Sequence, residues 1–142
     1  KEDMKRALRI RKIFGGGMRQ AGYLAAAGMY ALQNNISRLE EDHKKAKELG
    51  EILATLPFIY KVEPIETNIV IFTLKSDISE TQFIDKLKEK NINISNMGQG
   101  KLRMVTHLDY KQVMHDYVME TLSKISFFFF LLILQILPIY TN

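Results

Sequence analysis

The chain changes its hydrophobic period near Pro57, and that change fixes the kind of fold it can adopt. Before it, Leu39, Ala46, Leu49, Ile52 (or Leu53) and Leu56 recur at helical spacing. After it, Thr67-Asn68-Ile69-Val70-Ile71-Phe72-Thr73-Leu74 is an almost unbroken β-prone run, which predicts a strand buried on both faces. Helices therefore precede a sheet-forming segment, and at 142 residues the chain is at most one ordinary domain.

The helical part has three pieces. Residues 2–13 have helical composition and stop at Gly15-Gly16-Gly17. Met18 to Gln33 carries small residues on several faces, which predicts a central, buried helix. Asn34 and Asn35 break it, and Ser37 is a candidate N-cap for a helix ending at Pro57. On that third helix Glu40–Lys44 and Glu41–Lys45 are favourable i,i+4 pairs.

In the second part, Ser79-Glu80-Thr81-Gln82 is a capping-box pattern opening a helix to about Lys90. Ile92 and Ile94 alternate with Asn93 and Ser95 as in a strand. Gly98-Gln99-Gly100 makes a turn, and Leu102 to Thr106 pairs back as a hairpin partner. Asp109 then caps a helix to about Ile125. The fold class is α+β: a helical segment followed by a β-α-β-β-α small domain whose sheet is covered by helices. The expected organisation is 1–36 as basic helix, glycine turn and linking helix, 37–125 as the α+β domain, and 126–142 as an apolar tail.

Charge is concentrated at the start. Residues 1–19 carry Lys1, Lys5, Arg6, Arg9, Arg11, Lys12 and Arg19 against Glu2 and Asp3, so this arm holds +5 in a chain whose total is +4, and the rest is close to neutral. Cations flank the three glycines, whose backbone could approach an anion closely, with a following helix adding its positive end. A phosphate or carboxylate would suit such a turn; a helix–helix elbow with solvated charges is the simpler reading. Nucleic acid is a further class of partner, against which stands the lack of aromatic platforms among the cations. Cysteine is absent, which excludes disulfides and thiolate metal sites, and His43, His107 and His115 have no zinc-ligand spacing.

Strand alternation turns Leu102, Met104 and Thr106 to one face and Arg103, Val105 and His107 to the other. An arginine in mid-sheet can grip a carboxylate with two parallel hydrogen bonds; a surface arginine on an edge strand is the alternative. His107 reads more readily as a structural hydrogen-bonding group than as a base. No nucleophile–base set and no paired carboxylates appear.

After Ser126 the text becomes apolar through Leu137, short of the roughly 20 residues that span a bilayer. An appended tail, a membrane-surface anchor and a packing element are all compatible with it. No signal peptide is visible, and the opening at Lys1 reads as part of a longer protein.

Four ordered motifs carry a family resemblance: Arg11-Lys12-Ile13-Phe14-Gly15-Gly16-Gly17-Met18-Arg19-Gln20-Ala21-Gly22-Tyr23-Leu24-Ala25-Ala26-Ala27-Gly28, then Arg38-Leu39-Glu40-Glu41-Asp42-His43, Glu66-Thr67-Asn68, and Leu102-Arg103-Met104-Val105-Thr106-His107-Leu108-Asp109. Over about residues 1–125 the chain resembles the low-specificity L-threonine aldolases, beta-eliminating lyases of the fold-type I pyridoxal-phosphate class. The resemblance implies a carbon–carbon lyase that cleaves L-threonine or allo-threonine to glycine and acetaldehyde, working as a cytoplasmic homotetramer without nucleic-acid or membrane partners. It implies that Arg103 binds the substrate α-carboxylate, and that Lys12 and Arg19 help neutralise the cofactor phosphate, across a subunit boundary. It makes Asn68 structural and has His107 orient the strand end. In that family the Schiff-base lysine lies upstream of the basic helix; Lys1, Lys5 and Lys12 do not match its motif. This chain alone is therefore expected to be inactive.

Overall fold

The computed structural model describes the backbone of residues 2–136 and the side chains of residues 2–125. The chain divides into two units, Lys1–Arg38 and Leu39–Asn142.

In the first unit, α1 (Glu2–Ile13) begins with Glu2 and Asp3 and ends with Arg11 and Lys12, charges that complement the helix dipole. Its end explains the glycines. The Gly16 amide donates to the Arg11 carbonyl at 2.8 Å and the Gly15 amide to that of Lys12 at 3.2 Å. This pairing closes a helix with a left-handed residue at its end, and Gly15 has φ +80°. A Cβ on Gly16 would lie 2.7 Å from Arg11 Cγ and 3.0 Å from the Arg11 carbonyl oxygen. α2 (Gly22–Asn34) starts four residues later than Met18, with no side-chain cap at Ala21. It has no buried residue, and Tyr23 is 84% exposed. The expectation of a buried helix is thus not met among the described residues: small side chains on every face permit close neighbours but do not supply them.

The second unit is a four-stranded antiparallel sheet with helices on one face. α3 (Leu39–Thr55) buries Asp42, Lys45, Ala46, Leu49, Gly50 and Leu53, a stripe at three- and four-residue spacing. It starts at Leu39 after a turn over 35–38 rather than on a Ser37 cap. Of the expected pairs, Lys45–Glu41 forms at 2.6 Å, while Lys44 lies 3.9 Å from Glu48. β1 (Ile59–Val62) and β2 (Ile69–Leu74) follow, then α4 (Glu80–Glu89), β3 (Ser95–Gly98), β4 (Lys101–Val105) and α5 (Gln112–Ile136). The strand order is β1-β2-β4-β3.

β1 was not expected. It has four residues with a bulge between Ile59 and Lys61, too short and irregular to show a period of two. β2 differs in burial: Val70, Phe72 and Leu74 are buried, whereas Ile69 is 40% exposed. One sheet face is covered, not both. Its core joins Val70, Phe72, Leu102 and Met104 to Leu49 and Leu53 of α3, Phe83 and Leu87 of α4, and Val118 and Leu122 of α5.

α4 opens as predicted, the Ser79 hydroxyl accepting from the Gln82 amide at 3.4 Å. It closes on Asn91, φ +59°, with the Ile92 amide donating to the Leu87 carbonyl at 2.9 Å. That closure carries Ile92 into the core, so β3 begins at Ser95, three residues later than expected. The turn at Gly98-Gln99-Gly100 has positive φ at all three residues. α5 starts at Gln112 rather than on Asp109, and its backbone continues past the expected end near Ile125 to Ile136. The character of the 126–142 tail as anchor or packing element lies outside the described side chains.

Candidate carboxylate-binding site

β4 lies inside the sheet, so Arg103 is not on an edge. It faces Ile71 of β2 on one side and Ser95 of β3 on the other. Alternation sends Leu102 and Met104 to the core and Arg103, half-buried, to the uncovered face with Ile69, Ile71 and Val105. Its Nε is buried and has no hydrogen-bond partner among the described residues. Leaving a buried donor unsatisfied costs about 1–3 kcal/mol, more when it is charged. A guanidinium in apolar surroundings with an unused donor is suited to a planar, two-oxygen acceptor.

The strand end beyond Arg103 is tied down. Thr106 is fully buried; its amide donates to the Asn68 carbonyl at 3.0 Å and its hydroxyl to the Asp42 carbonyl at 2.7 Å. Asn68 Nδ2 donates back to the Thr106 carbonyl at 2.6 Å. Asn68 is thus structural, and the two residues close the β2–β4 ladder and fasten it to α3. β4 ends at Val105, so His107 falls outside the strand alternation. The Asp109 amide donates to His107 Nδ1 at 3.3 Å and the Tyr110 amide to the His107 carbonyl at 2.8 Å. The ring therefore shapes the turn into α5.

Lys12 and Arg19 lie exposed in the first unit. The Gly15 and Gly16 amides between them are engaged by the carbonyls of α1. Gly15 and Gly16 terminate a helix, so their N–H groups are not available to converge on an anion; α2 begins five residues beyond Gly17. The elbow reading is the one the backbone supports, and any anion there meets side chains. Among the described residues, no His, Asp and Glu cluster could hold a metal ion. A groove of about 660 Å³, lined by Ile92, Met104, His107, Tyr110, Val113 and Tyr117 among others, opens between α5 and the Asn91–Ile94 loop; Arg103 is not part of its wall.

A buried polar group was missed. Lys45 donates to Glu41 at 2.6 Å and to the Tyr110 carbonyl at 3.0 Å, while His115 lies between Glu48 and the Tyr110 hydroxyl. The signal available was a lysine and a histidine at inward helical positions. Nothing in the sequence paired them.

Residues 1–77 match the family model described as beta-eliminating lyase. The chain belongs to the beta-eliminating lyase family. It is 42% identical over 106 residues to the low specificity L-threonine aldolase of Escherichia coli O157:H7, covering 75% of this chain and 30% of that protein. It is 33% identical over 128 residues to the probable low-specificity L-threonine aldolase 2 of Arabidopsis thaliana, covering 88% and 36%. This lyase-family chain thus spans about a third of the length of these relatives. Among solved structures, the cystine C-S lyase C-DES in complex with its product cysteine persulfide aligns with TM-score 0.54 at 20% identity, over 72% of this chain and 28% of that one. That likeness supports the α+β fold. Among the described residues no helix is long and apolar enough to cross a membrane.

Proposed function

We propose that this chain is the carboxy-terminal part of a pyridoxal-phosphate-dependent threonine aldolase that cleaves L-threonine or allo-threonine to glycine and acetaldehyde. The observation that carries the reading is Arg103: an interior-strand guanidinium with a buried, unused Nε, on the open face of the sheet. The relatives named as threonine aldolases support the reaction class. In this reading Arg103 binds and orients the α-carboxylate of the amino acid. Its place between two strands fixes the direction of the grip.

Lys12 and Arg19 are the residues we assign to the cofactor phosphate, as exposed cations acting through their side chains. Pyridoxal phosphate, when bound, supplies the electron sink that makes cleavage of Cα–Cβ feasible. The lysine that anchors it is assigned to the portion of the enzyme upstream of this sequence, so the chain alone is inactive. A cytoplasmic homotetramer completes the proposal.

The test is co-expression with the upstream two-thirds of a relative, followed by assay of acetaldehyde and glycine from L-threonine. The pair is expected to be active and the chain alone inactive. Arg103→Ala in the pair should lower kcat/KM roughly 100-fold, mainly through KM, as loss of a charged hydrogen-bonding partner of about 2–3 kcal/mol requires. An assembled pair that turns over equally well without Arg103 refutes the assignment.

A further inference from the structure

The polar chain between α3 and α5 plays no part in the proposed reaction and can be argued by itself. His115 is almost wholly buried, with Nε2 2.8 Å from Glu48 Oε2 and Nδ1 3.2 Å from the Tyr110 hydroxyl. The Tyr110 and His115 rings meet edge to face, 5.7 Å between centroids and 88° apart. From α3, Lys45 Nζ reaches the Tyr110 carbonyl at 3.0 Å and lies 5.9 Å from the centre of its ring.

We infer that Glu48, His115 and Tyr110 form a directional hydrogen-bond relay that fixes the imidazole as its Nε2–H tautomer and clamps the β4–α5 connection onto α3. The assignment follows from donor and acceptor capacity. A carboxylate only accepts, so at 2.8 Å the proton between Glu48 and His115 belongs to Nε2. The neutral ring then presents one lone pair, at Nδ1, and the phenol must donate to it. The opposite tautomer would set the Nε2 lone pair against carboxylate oxygen with no proton between them. In a doubly protonated ring Nδ1 would donate to the phenol oxygen instead, so the direction of the Tyr110 link distinguishes the two arrangements. Burial, with the charge of Asp116 adding to it, pushes the Tyr110 phenol up to about 12, so it remains a donor.

The relay makes Tyr110 a positioning residue. Its hydroxyl, ring and carbonyl are each engaged, by His115 of α5 and Lys45 of α3. The segment so held directly follows Thr106, where the Arg103 strand is fastened. The inference stands whether or not Arg103 takes a carboxylate.

Nitrogen-15 NMR of the imidazoles in the full 142-residue chain tests it. His115 is expected to show a protonated Nε2 and an unprotonated Nδ1. A protonated Nδ1, or two nitrogens averaged to one intermediate position, overturns the relay. In Tyr110→Phe the Nδ1 resonance should move while Nε2 stays protonated, and a Nδ1 signal that does not move overturns the phenol link. Exchange of the residue-110 amide, which donates to the His107 carbonyl, should be severalfold faster in Glu48→Ala, which removes the acceptor of His115 Nε2. An unchanged exchange rate overturns the clamp.

Discussion

Phe83 lies between Phe58 and Phe72, with ring centroids 5.6 and 6.1 Å away and both rings inclined to its own. It is fully buried, so Phe83→Ala should cost about 3–5 kcal/mol of stability, read as a lower denaturant midpoint. Tyr110 makes a prediction about alkali. Its phenol ionises near 10.0 when unfolded and at about 12 when folded. The stability this contributes is complete below the first value and disappears as pH rises through the second. The native protein should therefore lose more stability than Tyr110→Phe across that window in urea melts at stepped pH. At this scale, legibility depended on period. Alternation sufficed to turn Arg103 away from the core. The unused Nε did not follow from alternation, since it arises from which strands flank β4. Likewise Lys44 and Lys45 are alike on paper, and only the helical phase against Tyr110 separates an exposed cation from a buried one.

α4 ends on a left-handed asparagine. Asn91→Gly should leave stability unchanged or raise it by up to about 1 kcal/mol, and Asn91→Ala should lower it by about 1 kcal/mol, both read from thermal unfolding. The start of this helix was legible because Ser79 and Gln82 have a fixed spacing. Its end was less so. Asn91-Ile92-Asn93-Ile94 has a strand's alternation, but the closing turn takes Ile92 as its apolar contact and the strand begins afterwards. β1 escaped for a related reason: a bulge in a four-residue strand erases the period that would announce it. The turn between β3 and β4 was legible because its residues all need positive φ, a demand that glycine states openly.

Across the molecule, apolar residues divide into those with neighbours and those without. The second unit has a closed core, whereas α2 presents Tyr23, Leu24, Met29, Tyr30 and Leu32 to solvent. Such surface favours association. Light scattering by the chain alone should rise with concentration and fall in the Tyr23→Lys, Tyr30→Lys double variant, whose changes lie seven residues apart on one helical face. The apolar composition of α2 was legible, but its burial was inferred from composition alone, which does not say whose side chains do the covering.

The closing turn of α1 also limits what can be recognised there. With the Gly15 and Gly16 amides already committed to carbonyl oxygens, an anionic guest near Lys12 and Arg19 would be held by long, swivelling cationic side chains. Such a grip reads valence rather than shape. It weakens as added electrolyte screens it.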